Sequence, residues 1–353
     1  MNSIGIDLHK ASISVCVMSP DRQVLARQRM ACNDPAGIVA FFQDWGPFQA
    51  VIEATASYEW LFQLLEPLAQ RVVLAHPKKL RIIAESTRKS DRLDAQVLAE
   101  FLALDMIPPA FRPAPRQRQH RQPAVGDRRL VRHRSYVSGR ITSVCCKIRV
   151  ILADYNADRK DLFTPSGLKY LAQVKVSEAD RFVLDQLVAE RKRLRNQLAA
   201  VEKQLRTFAR SAPVAEAEAR AVTDRWLAVV DSIPYVGPVT VDVVVSELGD
   251  VQRFRSQKRA AAYAGLAPGH RESGGRSKEL GITKEGSPLL RWAMIQTAWR
   301  LVQRTQRWRS IFEPLARRRG KKRAIVAVAR RVLCMIVSLM QSGQRYRHAM
   351  PSA

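Results

Sequence analysis

Short apolar runs ending in an acid alternate with amphipathic stretches through the first hundred residues. Ile4-Gly5-Ile6-Asp7 reads as a buried strand closed by a carboxylate. Ser12-Ile13-Ser14-Val15-Cys16-Val17 alternates as a half-buried strand does, and Gln23–Arg29 follows the turn Ser19-Pro20-Asp21-Arg22. Asn33-Asp34-Pro35 offers an N-cap and a proline, opening a helix to about Asp44. A strand over 49–53, a helix over 57–69, a strand over 71–75 and a helix carrying Asp91 and Asp94 follow. Three strands, helix, strand, helix, strand, helix, with acids ending the first and fourth strands, is the α/β ribonuclease H-like arrangement.

Beyond residue 108 the pattern changes. Pro108, Pro109, Pro113, Pro115 and Pro123 break any helix. Arg112, Arg116, Arg118, Arg121, Arg128, Arg129, Arg132 and Arg134 make the stretch to 134 cationic. A backbone-tracking arm that orders on phosphate is favoured over a solvated linker. Residues 178–210 predict a long helix. Its seam Leu184, Leu187, Leu194, Leu198, Val201, Leu205 and Phe208 is broken only by Arg191, a coiled-coil repeat over about four heptads. Its partner is either a helix near 128–153 folding back or another protomer. Helices are predicted over 238–248, 256–264, 287–303 and 321–342, preceded by Ser232-Ile233-Pro234-Tyr235-Val236-Gly237-Pro238. That segment partly matches a phosphate-binding helix-hairpin-helix turn, with Tyr235 where the motif has glycine. The reading is three parts: an α/β domain over 1–110, a basic linker and helical coiled-coil region over 111–224, and a mainly helical domain over 225–353.

Charge narrows the partners. Lys and Arg number 59 against 32 acids, a formal net charge of +27, which favours sequence-independent binding to nucleic acid. A hydrophobic share of 46% argues for packed domains rather than a basic tail. The five cysteines, Cys16, Cys32, Cys145, Cys146 and Cys334, lack metal-binding spacing and fit reduced thiols in the cytoplasm. No signal peptide and no apolar run long enough for a bilayer are read from the sequence, so no membrane partner is expected.

Two constellations could carry chemistry inside this polycation. Asp7, Glu53, Asp91 and Asp94 could converge on one or two Mg²⁺ ions, with Mn²⁺ as an alternative, because hard cations take carboxylate oxygens. A carboxylate ending a buried strand is costly unless paired or bound to a cation. The second is Gly265-Leu266-Ala267-Pro268-Gly269-His270-Arg271-Glu272-Ser273-Gly274-Gly275, followed by Gly281-Ile282-Thr283-Lys284-Glu285-Gly286. Arg271, Arg276, Lys278, Lys284 and Arg291 surround Ser273 and could hold a phosphate. Taken alone, Ser-Gly-Gly reads as a flexible loop more readily than as a nucleophile. The run Arg317–Arg323 reads as a basic loop feeding an apolar helix, with Trp299 and Trp308 available to stack on bases.

Gly5-Ile6-Asp7-Leu8-His9-Lys10, Glu53-Ala54-Thr55, Lys89-Ser90-Asp91-Arg92-Leu93-Asp94-Ala95 and the two glycine-rich segments together resemble the DEDD transposases of bacterial insertion sequences. The resemblance spans nearly the whole chain, in order. It implies a RuvC-like domain binding Mg²⁺ through the four acids and Ser273 as a nucleophile forming a phosphoserine link to DNA. It further implies a bridge RNA pairing with donor and target DNA, and a homo-oligomer, dimer to tetramer, joined through coiled-coil helices. Two competitors are a Holliday-junction-type metal nuclease using the acids alone and a non-enzymatic nucleic-acid-binding protein. The chain departs from the family at Gly286-Ser287-Pro288, where Gly-Asn is usual, and in the Arg- and Pro-rich segment Gln117–Arg134.

Overall fold

The computed structural model describes residues 1–54, 57–77, 79–80, 91–110, 112, 128–210, 217–273 and 276–347. It forms two compact units, Met1–Arg112 and Pro113–Ala353. Thr55, Lys89, Ser90, the arm residues Arg116, Arg118 and Arg121, the prolines at 113, 115 and 123, and Gly274 and Gly275 lie outside the described residues.

The first unit runs β1 (Asn2–Leu8), β2 (Ser12–Met18), β3 (Val24–Ala31), α1 (Pro35–Gln43), β4 (Phe48–Glu53), α2 (Tyr58–Leu65), β5 (Arg71–Ala75) and α3 (Asp91–Ala103). The sheet order is β3-β2-β1-β4-β5, antiparallel through β1–β2–β3 and parallel through β1–β4–β5. This is the ribonuclease H-like α/β fold read from the strand order. Period-two alternation fixes the faces. Ile4, Ile6, Ala50 and Ile52 pack with Ile38, Phe42, Leu61 and Leu65 of α1 and α2. Cys16, Met18, Val51 and Val73 face α3, which brings Ala95, Ala99, Leu98 and Leu102. Asp34 caps α1, its Oδ1 accepting from Gly37 N at 2.9 Å, with Pro35 at the first helical position. Arg112 closes the unit: it pairs with Glu59 at 3.0 Å and Glu66 at 2.8 Å and lies 3.7 Å from the centre of the Phe62 ring. It is thus a packing residue of this unit.

The second unit opens with α4 (Arg128–Asp154), α5 (Pro165–Gln173) and α6 (Glu178–Arg210). α4 and α6 pack as an antiparallel pair, marked by ion pairs Arg134–Glu202 at 2.6 Å and Arg140–Glu190 at 2.7 Å. Val137, Val144, Ile148 and Leu152 bury against Leu184, Leu187 and Leu194. Arg191, the break in the seam, is buried: its guanidinium carbon lies 4.7 Å from the centre of the Phe163 ring and Nη2 donates to Phe163 O at 3.4 Å.

A helical core follows: α7 (Ala217–Asp231), α8 (Pro238–Leu248), α9 (Gln257–Tyr263), α10 (Pro288–Arg304), α11 (Gln306–Arg319) and α12 (Lys321–Ser342). Two sequence readings are corrected here. The basic run Arg317–Arg323 is the last turn of α11 and the first turn of α12 about Gly320 (φ +80°), not a loop. α12 is also long and apolar enough to cross a bilayer, contrary to the sequence reading, although Ile325, Val328, Val332, Leu333 and Ile336 are buried in the core. Between α9 and α10 stands a third departure, an antiparallel ribbon of β6 (Pro268–Ser273) and β7 (Arg276–Ile282). The sequence signal was present: alternating residues flank a two-residue Gly-Gly, the hairpin signature.

Candidate functional site

Asp7 and Glu53 each follow a residue of the last β1–β4 pair, Ile6↔Ile52, at the carboxy ends of adjacent parallel strands. By alternation both fall on the face of Gly5 and Val51, the face α3 covers. Gly5 is required there, because a Cβ on it would sit 2.0 Å from Ala95 O and 2.4 Å from Ala99 N. The direction of α3 follows from Asp105, just past its end, which takes Arg71 Nη1 at 3.2 Å where β5 begins. The amino end of α3, with Asp91 and Asp94, therefore lies toward the Asp7 and Glu53 end of the sheet.

Asp7 is mostly buried and pairs with His9 Nε2 at 3.1 Å; Glu53 is half-buried and Asp94 exposed. Carboxylates at one end of one sheet face suit a hard divalent ion in donor chemistry. Among the described residues, however, no three His, Cys, Asp or Glu side chains are gathered closely enough to hold a metal.

The ribbon carries the second set. Its register pairs Arg271 with Lys278 and Ser273 with Arg276. Directly opposed residues share a face and alternate residues return to it, so the backbone puts Arg271, Ser273, Arg276 and Lys278 on one face. Glu272, Ser277, His270 and Glu279 take the other. The base of the ribbon is pinned. Thr283 N donates to Ala267 O at 3.0 Å, and Lys284 N to Gly265 O at 3.1 Å. Arg291 Nη1 donates to Ala264 O at 3.1 Å and Glu285 O at 2.8 Å, so this half-buried guanidinium clamps carbonyls. A Cβ on Gly286 (φ +74°) would lie 1.9 Å from Tyr263 O. Ser287 caps α10: its Oγ accepts from Leu290 N at 3.1 Å. Lys284 is exposed, in the left-handed region at φ +56°.

The expected helix-hairpin-helix turn has a related geometry. Tyr235, half-exposed, takes φ +63°, the conformation for which that motif uses glycine. Gly237 caps α8 without a side-chain bond, and the Arg300 guanidinium stands beside it, 3.6 Å from where a Gly237 Cβ would be.

Several arginines of the expected phosphate-tracking arm are occupied otherwise. Arg128 and Arg132 converge on Glu247, whose side chain is fully buried, through contacts of 2.7 Å each. Burial alone would raise the Glu247 carboxyl, but hydrogen bonds and charge from Arg132 and Arg128 outweigh it and hold it below the ordinary carboxylate value. The sequence reading missed this triad; a lone acid inside Val243-Val244-Val245-Ser246-Glu247-Leu248 was its signal. Asp242, one turn earlier, is pushed up to about 6 by burial, against the opposing charge of Arg134. The stacking role read for two tryptophans is also corrected: Trp308 is buried, and Trp299 packs edge-on to Phe312 with ring centres 5.5 Å apart.

A ribonuclease H-like unit with acids at one end of its sheet, and a helical unit with a basic ribbon ending at a serine, are parts suited to a protein that acts on nucleic-acid strands. Comparison with known proteins makes that specific. A family model described as Transposase, of the DEDD type found in IS110 elements, matches residues 4–157, and one described as Transposase IS116/IS110/IS902 family matches residues 227–313. A probable family 20 transposase of Pseudomonas aeruginosa is 25% identical over 98% of this chain and 99% of its own. The transposase for insertion sequence element IS1328 of Yersinia enterocolitica is 22% identical over 86% of this chain and 84% of its own. The transposase for element IS1111A of Coxiella burnetii is 34% identical over 33% of this chain and 34% of its own. The chain belongs to the DEDD transposases of the IS110/IS116/IS902 family. Membership in that family implies cleavage and rejoining of DNA, and a divalent metal is typical of it.

Proposed function

We propose that this insertion-sequence transposase cuts and rejoins DNA through a covalent phosphoserine at Ser273, assisted by a divalent metal at Asp7, Glu53, Asp91 and Asp94. The observation that carries the reading is the β6–β7 register, which groups Ser273 with Arg271, Arg276 and Lys278 on one face. A serine flanked by three cations is matched to a phosphodiester, whose charge grows as the phosphorus is attacked.

The hydroxyl oxygen of Ser273 bonds to phosphorus and loses its proton, while the bond from phosphorus to the departing deoxyribose oxygen breaks and that oxygen gains a proton. The bond count at phosphorus is conserved, so the reverse attack by a strand-end hydroxyl rejoins DNA and frees the serine. Arg271, Arg276 and Lys278 bind the non-bridging oxygens, with Lys284 at the ribbon's base, and Arg291 positions the ribbon. Bound at the four acids, Mg²⁺ or Mn²⁺, two ions per site, supplies Lewis acidity toward a phosphate oxygen.

The remaining parts of the proposal rest on the family resemblance. A structured bridge RNA pairs with donor and target DNA, which suits a chain of net charge +27. A homo-oligomer, dimer to tetramer, pairs the acids of one protomer with the serine of another through the coiled-coil segment. The functional division is 1–110, 111–224 and 225–353.

The test is covalent trapping. Protein, Mg²⁺, the noncoding RNA flanking the reading frame and labelled donor DNA are resolved on a denaturing gel beside Ser273→Ala and Asp7→Ala. An adduct lost in both variants is expected. Cleavage without adduct that survives Ser273→Ala and is lost in Asp7→Ala would make the protein a metal nuclease and end the serine assignment.

A further inference from the structure

We infer that the elbow between α11 and α12 is a surface that grips the phosphodiester backbone of duplex nucleic acid, independently of sequence. The transposase reading contributes only the expectation that a nucleic acid is nearby; the surface itself is argued from charge and packing.

From Arg304 to Arg323 nine Lys and Arg residues stand against a single acid, Glu313. Five other arginines of the second unit are tied down: Arg128 and Arg132 to Glu247, Arg134 to Glu202, Arg140 to Glu190, Arg149 to Asp158. Arg317, Arg318, Lys321, Lys322 and Arg323 are all exposed, and among the described residues none pairs with a carboxylate. Trp308 and Phe312 turn one side of α11 into the core, and the exposed side carries Arg307, Arg309, Arg317 and Arg318 beside the single acid Glu313.

Local stability does not explain the cluster. Lys321, Lys322 and Arg323 occupy the first turn of α12, where the helix dipole disfavours cations, and that turn holds no acid. Six cations within the seven residues 317–323 also repel one another. Such an arrangement is relieved by a dense line of negative charge. Arg307 and Arg318 lie nearly above one another on α11, about 16 Å apart at 1.5 Å per residue. A duplex carries roughly ten phosphates over that length.

Packing selects duplex over single strand. Around the elbow, Trp308 and Phe312 are in the core and Trp299 packs on Phe312, which leaves this surface to charge. An anionic membrane would meet the same charge, but α12 could insert only by withdrawing Ile325, Val328, Val332 and Ile336 from the core.

The experiment uses the full chain carrying Arg317→Gln, Arg318→Gln, Lys321→Gln and Lys322→Gln together. A control of similar charge loss carries Lys192→Gln, Arg193→Gln and Arg195→Gln on the exposed side of α6. Binding to random-sequence duplexes of about 30 base pairs, one DNA and one RNA, is measured by fluorescence anisotropy across salt, after circular dichroism shows unchanged folding. The elbow variant is expected to lose at least about tenfold in affinity at low salt, and roughly three in the slope of log affinity against log salt. The loss is the same for any base sequence, and the arm that loses more identifies the source as DNA or RNA. An elbow variant no weaker than the control on both duplexes would overturn the inference. So would lost binding to phosphatidylserine vesicles with duplex binding intact. Duplex gripping without any serine adduct would leave the inference standing and remove the cleavage chemistry, whereas an adduct with an unchanged salt slope does the reverse.

Discussion

The two halves of the proposed chemistry are held in opposite ways. Asp7 and Glu53 end strands in the middle of a five-stranded sheet, covered on one face by α1 and α2 and on the other by α3. Ser273 ends a strand of a two-stranded ribbon whose position depends on its base, on Gly265, Gly286 and Arg291. An isolated ribbon of that kind is marginal without support. The difference matches the tasks. Ligands to an ion need fixed geometry, whereas a nucleophile that must reach a bulky duplex gains from standing clear of its domain.

The sharpest way to break this contrast is to remove each chemistry in turn. Ser273→Ala should abolish the adduct, because alanine has no oxygen to bond phosphorus, with salt-dependent binding unchanged, and Asp7→Ala should slow adduct formation on the order of 10⁴-fold; an adduct surviving Ser273→Ala, or undiminished in Asp7→Ala, would show that the contrast was misdrawn. Next comes the cohesion of the second unit. Glu247→Gln leaves Arg128 and Arg132 around a neutral buried group and should cost about 3–5 kcal/mol, read by urea unfolding. Because the folded Glu247 carboxyl is depressed, its contribution is complete above the ordinary 4.5 and is lost as pH falls through the folded value.

Smaller effects separate sheet from ribbon. Gly5→Ala forces a methyl against the α3 backbone and should destabilise the first unit by about 3 kcal/mol. Gly286→Ala should loosen the ribbon's base instead, reducing the adduct more than duplex binding; equal losses of both would mean the ribbon is not a separate lever. The smallest is Asp242→Asn. Its carboxyl is raised from 3.8 to about 6, so ionisation opposes folding as pH rises through that window. The variant should be more stable by about 1–2 kcal/mol at pH 8, with the gain fading toward pH 4.

How much of this was legible in the sequence follows from the range of the interactions. The strands and helices of the first unit, and the seam of α6, announce themselves through local periodicity. Asp7 and Glu53 could be placed because an acid that closes an apolar run marks a strand end. What stayed hidden depends on pairing across long separations. Nothing near Arg128 in the chain names Glu247 as its partner, so the arginine run read as a phosphate arm ends with residues spent on a buried acid. The ribbon was missed because the glycines around Ser273 weigh as heavily toward a loop as the alternation beside them weighs toward strands.

The irregularity at the foot of that ribbon has a consequence of its own. Pro268 opposes Ile282, yet His270 opposes Glu279, so β7 spends one residue more than β6 over the same length. Opposed positions sum to an even number at the foot and to an odd number at the tip, where Ser273 meets Arg276. A connection of two residues demands the odd sum, while the attachment at Ala267 and Thr283 demands the even one. The extra residue is thus a phase correction between a clamp and a tip that count differently. Lineages of this ribbon should change length only in steps that preserve that parity, or carry a second irregularity that restores it.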